Sequence, residues 1–334
     1  NVYIQVPSSN NQNPTPVSKH NFDFACQLPV DNPSCQKKDS AYNYNWTVPA
    51  NHPEGLNWYH PHVHGYVSPQ IESGMSGMLV VEGLIEKHYP ALADSKTKIF
   101  LLKSTPTTNI NGMMGGHIES LPGDLEVFEI GNVGANSFFK FAIEDHDFLV
   151  LEHDGNVNEI PELVDGVFLP PGARAVVAVH ITEKVGKYNI TSDAIPTVKS
   201  FDSNPKITLG TLIVKGDPVD SSKLVSDITY GASQISDIHP RVKDLQNAKI
   251  TGTKTIIYSA GNDINGNFAF MLNGSSFEAN PLHVNVTLGN PGEAEKWTLI
   301  NNSTETHTFH IHQLDFLVTE INGEDPDYKN KKEE

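Results

Sequence analysis

Only two cysteines, Cys26 and Cys35, occur in 334 residues. That excludes a disulfide-rich scaffold, and their spacing is not the CxxC of a zinc site. They sit in a polar stretch with Pro29 and Pro33, where a disulfide and a pair of free thiols are both open. No run of about 18 apolar residues occurs, so no segment reads as a membrane span. Positive charge is scarce: 23 Lys and Arg stand against 40 Asp and Glu, for a formal charge of −17. Such a surface repels phosphate backbones and excludes nucleic acid as a partner, whereas neutral or cationic small molecules suit it. Helical periodicity is nearly missing, and the best helix pattern is "HPRVKDLQNAK" (239–249) in a polar connection. HExxH, P-loop, GxGxxG and GxSxG motifs are all absent, which removes the chemistries that rest on them. No signal peptide is visible from Asn1 onward, so the compartment is not read from the start of the chain.

What is present is β-texture. Short stretches of Val, Ile, Phe and Thr alternate with Gly, Pro and Asn, as in "GMLVVEG" (77–83), "RAVVAVHI" (174–181), "GTLIVKG" (210–216) and "LHVNVTLG" (282–289). The chain is too long for one core and reads as several all-β sandwich or barrel domains. An internal repeat organises them. "PGDLEVFEIGN" (122–132) matches "PGEAEKWTLIN" (291–301), and "DFLVLEHDG" (147–155) matches "DFLVTEING" (315–323), at offsets of 169 and 168 residues. A weaker echo joins "SGMLVVEG" (76–83) to "LGTLIVKG" (209–216), as closing strands of similar domains. Three related domains follow, over 1–85, 95–216 and 250–334, the last without a closing strand.

Two histidine clusters stand out against this background: "NWYHPHVHG" (57–65) and "TETHTFHIHQLDF" (304–316). On a strand, side chains alternate between faces, so His60 and His62 point the same way, as do His310 and His312. Paired neutral imidazoles are natural ligands for copper, zinc, iron or nickel. His307 is an odd number of residues from His310, so it faces the other side and is expected to serve a different centre. The repeat provides an internal control: Phe139, Ala142 and Glu144 stand opposite His307, His310 and His312. The fold therefore does not demand these histidines. A cupin-like site fits poorly, because the next carboxylate, Glu72, is ten residues beyond His62. His64 lies just before Gly65, where the strand is expected to end, and His146, His153, His180, His239 and His283 are isolated and read as structural.

These motifs resemble the multicopper oxidase family of laccases, bilirubin oxidases and cuprous oxidases. "HTFHIHQLDF" resembles its HPxHxH motif with Thr308 in place of Pro, and "WYHPHVHG" followed by "GMSGMLVVEG" resembles its W-x-H-x-H segment. "NING" (109–112), "PGDLEVFEIGN" and "DGVFLPPGARAVVAV" (165–179) resemble its copper-free middle domain, so the likeness runs from about residue 42 onward. The resemblance implies three cupredoxin-like Greek-key β-domains, with the first and third incomplete in this sequence. It implies copper in a mononuclear type 1 site and a trinuclear type 2/type 3 cluster. His307 would be a type 1 ligand, His310 a type 2 ligand, and His312, His60 and His62 type 3 ligands, with His64 outside the cluster. Two further family motifs, an upstream HxHG and a downstream HCHxxxH, are not in this sequence, so each site has an incomplete ligand set and the 334 residues alone are expected to be inactive.

The implied activity is oxidation of a phenolic, amine or metal-ion donor by single electrons, coupled to four-electron reduction of dioxygen to water. The implied setting is periplasmic or extracellular. A non-enzymatic cupredoxin-fold assembly or binding protein is the second reading, and a copper nitrite reductase-like enzyme the third. The first is favoured because every ligand position inside the two motifs is histidine.

Overall fold

The run "RAVVAVHI" does not alternate with polar residues because the strand it forms, Arg174–His180, is covered on both faces. In the computed structural model, Ala175, Val177 and Val179 point into one core and Val176 and Ala178 into another. The structure describes residues 2–5, 47–62, 66–104, 107–195, 205–231, 245–276, 290–311 and 316–324. Cys26, Cys35, His64, His239, His283, His312 and the stretch 282–289 lie outside the described residues. The chain divides into two compact units, one within Val17–Pro196 and Asn204–Ser236, the other within Asn1–Pro16, Thr197–Ser203 and Asp237–Glu334.

In the first unit a six-stranded sheet runs in the order Asn156–Val164, Phe148–His153, Arg174–His180, Leu125–Asn132, Thr97–Lys103, Asn109–Ile110. Its inner face meets a five-stranded sheet in the order Val167–Leu169, Phe139–Ile143, Gly186–Ser192, Ile207–Val214, Gly116–Ser120. Phe100, Phe128, Phe141 and Phe148 fill the space between them, as expected of a β-sandwich. The outer face is covered by a hairpin, Gly55–Tyr59 with Gly77–Val81, and by the helix Ser222–Gly231. Leu56, Leu84, Leu92 and Ile228 pack there on Leu125, Val127 and Leu151. The described residues 47–85 of the stretch assigned to a first domain and the described residues of the middle one thus share one compact unit. No sequence pattern pointed to the helix Ser222–Gly231; Asp220 caps its first turn, accepting from the Ser222 backbone N–H at 3.1 Å. Of the helix expected over 239–249, residues 239–244 lie outside the described residues and Lys249 begins a strand.

Among the described residues, the second unit has one six-stranded sheet, in the order Ser275–Ser276, Phe268–Leu272, Lys249–Asn262, Glu293–Asn301, Val2–Gln5, Phe316–Val318. Val2–Gln5, at the start of the segment assigned to the first domain, pairs by its backbone with Glu293–Asn301 and Phe316–Val318.

The repeat is visible in the structure. Pro122–Gly123 and Pro291–Gly292 each form a turn with positive φ at Gly (75° and 82°) and an i+3 to i hydrogen bond. Each turn launches a strand that runs parallel to an earlier one, Thr97–Lys103 in the first unit and Lys249–Asn262 in the second. The same buried ion pair recurs in both. Lys98 meets Glu126 and lies over the Phe128 ring; Lys254 meets Glu295 at 2.8 Å and lies over Trp297. Asn-Gly turns with Asn at positive φ follow the parallel partner in both units, at Asn111 (52°) and Asn273 (51°). In each, the Asn side chain accepts from that strand's backbone, at Leu101 and Ile257. The copies part company at the histidines. Phe139 and Ala142 are buried in the strand Phe139–Ile143, whereas 302–311 makes no strand ladder.

Candidate metal centre

The strand Gly55–Tyr59 stops one residue short of His60, so His60 and His62 lie beyond the ladder rather than on it as expected. They nevertheless stay together, with ring centroids 5.8 Å apart and planes tilted by 41°. The His60 ring stacks on Trp58 at 4.3 Å, and its Nδ1 is 2.8 Å from the Pro61 carbonyl. A ring that donates from Nδ1 to a carbonyl keeps its lone pair on Nε2, the arrangement found in metal-ligating histidines. Burial pushes the His60 pKa below the usual value, and the neighbouring His62 adds to this, so the neutral form that binds metal is favoured.

His307 uses its other nitrogen. Its Nε2 is 2.7 Å from the Ser303 hydroxyl, which leaves Nδ1 for a metal. The ring lies parallel to Tyr258 at 5.2 Å and edge-on to Phe270 at 5.7 Å. Without ladder bonds, 303–311 still alternates: Ser303, Glu305, His307, Phe309 and Ile311 are half-buried, and Thr304, Thr306, Thr308 and His310 are exposed. His307 thus falls among the half-buried positions and His310 among the exposed ones, in step with the parity of the sequence. His312 and His64 fall outside the described residues, and among the described residues no three metal-binding side chains gather at one point.

The residues that hold the His60 hairpin in place carry no motif of their own. Glu152 is fully buried, and its Oε1 accepts the Leu56 backbone N–H at 2.9 Å. Arg174 Nε donates to the Leu56 carbonyl at 2.8 Å. Ser76, on the return limb, donates to the Val133 carbonyl at 2.6 Å. One sequence signal does mark this group: the repeat keeps a carboxylate at matching positions, Glu152 and Glu320. The Glu152 Oε2 is buried with no hydrogen-bond partner. Burial raises the Glu152 pKa to about 7, with Glu129 adding to it, against the backbone donors of Leu56 and Gly155 and the charge of Arg174. The folded state therefore holds a proton that the unfolded state loses above about pH 4.5, so stability falls as pH rises from there to about 7 and then levels off. The shift corresponds to about 3 kcal/mol. Glu152→Gln, which keeps an acceptor for Leu56, should remove most of this slope; denaturant titrations between pH 5 and 8 measure it, and an unchanged slope would refute the assignment.

Two family models, both described as multicopper oxidase, match residues 57–215 and 239–334, and so take in both histidine clusters. The chain belongs to the multicopper oxidase family. The iron transport multicopper oxidase FET5 of Saccharomyces cerevisiae is 28% identical over 195 residues, 51% of this chain and 30% of that protein. FET3 of Candida glabrata, with the same description, is 26% identical over 347 aligned residues, 86% of this chain and 52% of that protein. The chain thus spans about half or less of the length of these curated relatives. Among solved structures, the laccase-like multicopper oxidase CueO from Ochrobactrum sp. superposes with a TM-score of 0.59 at 18% identity, covering 83% of this chain and 65% of that one. A metallo-oxidase of the family from Campylobacter jejuni gives 0.55 at 20% identity, covering 75% and 56%. These likenesses establish the fold as all-β and cupredoxin-like.

Copper is the cofactor of multicopper oxidases, and the donors seen here fit it. His60 and His307 each have one ring nitrogen engaged by the protein and the other left for a metal. Among the described residues, no helix of this multicopper oxidase is long and apolar enough to cross a membrane.

Proposed function

We propose that this chain carries part of the copper machinery of an oxidase that takes electrons singly from a small reducing substrate and passes them to dioxygen. The observation that carries the reading is the His60–His62 pair: two rings 5.8 Å apart, one of them oriented by the Pro61 carbonyl and by Trp58. In this reading His60, His62 and His312 serve the type 3 pair, His310 the type 2 ion and His307 the type 1 ion. Bound copper would supply one-electron acceptance at the type 1 site and four-electron reduction of dioxygen to water at the cluster.

The chain's own residues orient the imidazoles. Pro61 and Ser303 select which nitrogen faces the metal, and burial keeps His60 neutral. The donor class we favour is a reduced metal ion, with phenols and amines as the other candidates. The formal charge of −17 attracts cations, and two relatives are named for iron transport. A site of action outside the cytoplasm accords with this chemistry.

The test is a calorimetric titration with cupric ion, comparing the chain with its His60→Ala/His62→Ala variant. At least a tenfold loss of affinity is expected, about 1.4 kcal/mol or more. Equal binding by both proteins would refute the ligand assignment. The 334 residues by themselves should not turn over donor, because neither an HxHG upstream of Trp58 nor an HCHxxxH is among them.

A further inference from the structure

His60 and His62 lie past the end of a two-stranded hairpin, and an isolated hairpin of that kind is at best marginally stable. The precision of the pair must come from what holds the hairpin. Leu56 supplies the contact. Its backbone N–H and C=O are gripped by two side chains of the six-stranded sheet beneath. The Glu152 carboxyl accepts from the N–H at 2.9 Å, and the Arg174 guanidinium donates to the C=O at 2.8 Å. The Arg174 bond is charge-assisted, and such bonds are stronger than neutral ones. Glu152 Oε1 accepts whether or not the carboxyl carries a proton, because Oε2 is free to hold it.

Arg174 is itself immobilised. Its Nη1 donates to the Gly172 carbonyl at 2.9 Å, its backbone N–H to Asp154 Oδ1 at 2.8 Å, and its guanidinium lies 3.4 Å from the same carboxylate. Gly172 adds a second grip. A Cβ on it would lie 2.9 Å from Cζ2 of Trp58, so the indole rests directly against this turn. The indole also stacks on His60, at 4.3 Å and 25°.

We propose that Glu152 and Arg174 are positioning residues for the copper-binding pair, a two-point latch that fixes the hairpin at Leu56 and, through Trp58, the plane of the His60 ring. The proposal rests on the reading of His60 and His62 as copper ligands. Neither latch residue touches metal or substrate; both act through the backbone of Leu56.

Hydrogen exchange and copper retention test it in the full chain. Glu152→Leu removes the acceptor, Glu152→Gln keeps one, and Arg174→Met releases the Leu56 carbonyl. Val150→Ala, on the Glu152 strand but in the sandwich core, is the control for general destabilisation. With Glu152→Leu or Arg174→Met, exchange over 55–62 should rise about tenfold to a hundredfold relative to 125–132. Copper retained against a chelator should fall with it. Glu152→Gln should restore both readouts, and Val150→Ala should raise exchange evenly. Even acceleration in every variant would overturn the latch. A loosened hairpin with unchanged copper retention would overturn the positioning role. Should Glu152→Leu fail to fold, Arg174→Met decides by the same readouts. If the His60→Ala/His62→Ala variant retains copper as the parent does, the ligand reading fails, and the positioning role with it, while the exchange data still judge the latch by itself.

Discussion

In a copper-loaded chain that includes the remaining family motifs, His307→Ala should lower donor oxidation by more than about a hundredfold and disturb the blue absorption, while most cluster copper stays bound. His310→Ala should do the reverse, lowering cluster copper while the type 1 centre still accepts electrons. The physical basis is the division seen in the backbone between 303 and 311. His307 is half-buried, as are Phe309 and Ile311, between Tyr258 and Phe270, and His310 is exposed. A metal held at His307 Nδ1 would thus draw on a half-buried position, and one held at His310 on an exposed position, of the same segment. Copper content, the visible spectrum and oxygen uptake of each variant separate the roles. Full colour and full oxygen uptake in the His307 variant would refute the assignment.

Lys98→Met should destabilise the first unit by about 3–5 kcal/mol, because it leaves a buried carboxylate without its cation. The Glu126 side chain is 1% exposed, and its Oε2 is held by Lys98 and by the Ser120 hydroxyl at 2.8 Å. Ser120 alone cannot offset the charge, and Glu126 Oε1 already has no partner. Met matches the length of the Lys stem, so loss of packing contributes little. Pairing the change with Glu126→Gln or Glu126→Leu should recover much of the loss, since removing both charges also removes the desolvation penalty. Chemical denaturation of the single and double variants measures this; a loss below about 1 kcal/mol for Lys98→Met would mean that water reaches the carboxylate.

Local patterns in the sequence specified much of this protein. Pro-Gly turns at 122–123 and 291–292 need Gly at positive φ, and both are found with it. The period of two in 303–311 survives without a ladder, as an alternation of half-buried and exposed side chains. The two histidine motifs carry the family signature in the sequence alone, and the family models cover both. The run 174–180 reads as a strand, but only the structure shows why it is apolar throughout: one face meets the sandwich core, the other the hairpin.

Contacts between residues far apart in the chain were decided by tertiary structure alone. Nothing local links Leu56 to Glu152 and Arg174, which lie 96 and 118 residues away. A lone Glu in an apolar strand gives no hint of the backbone N–H it will accept from, because that donor arrives only when two distant strands pack. The same holds for Lys98 and Glu126, whose pairing depends on a parallel register between strands separated by Asn109–Ile110 and Gly116–Ser120. Sequence periodicity specifies which face a residue occupies; which partner waits on that face is set by packing, and there the orientation of the candidate copper ligands is fixed.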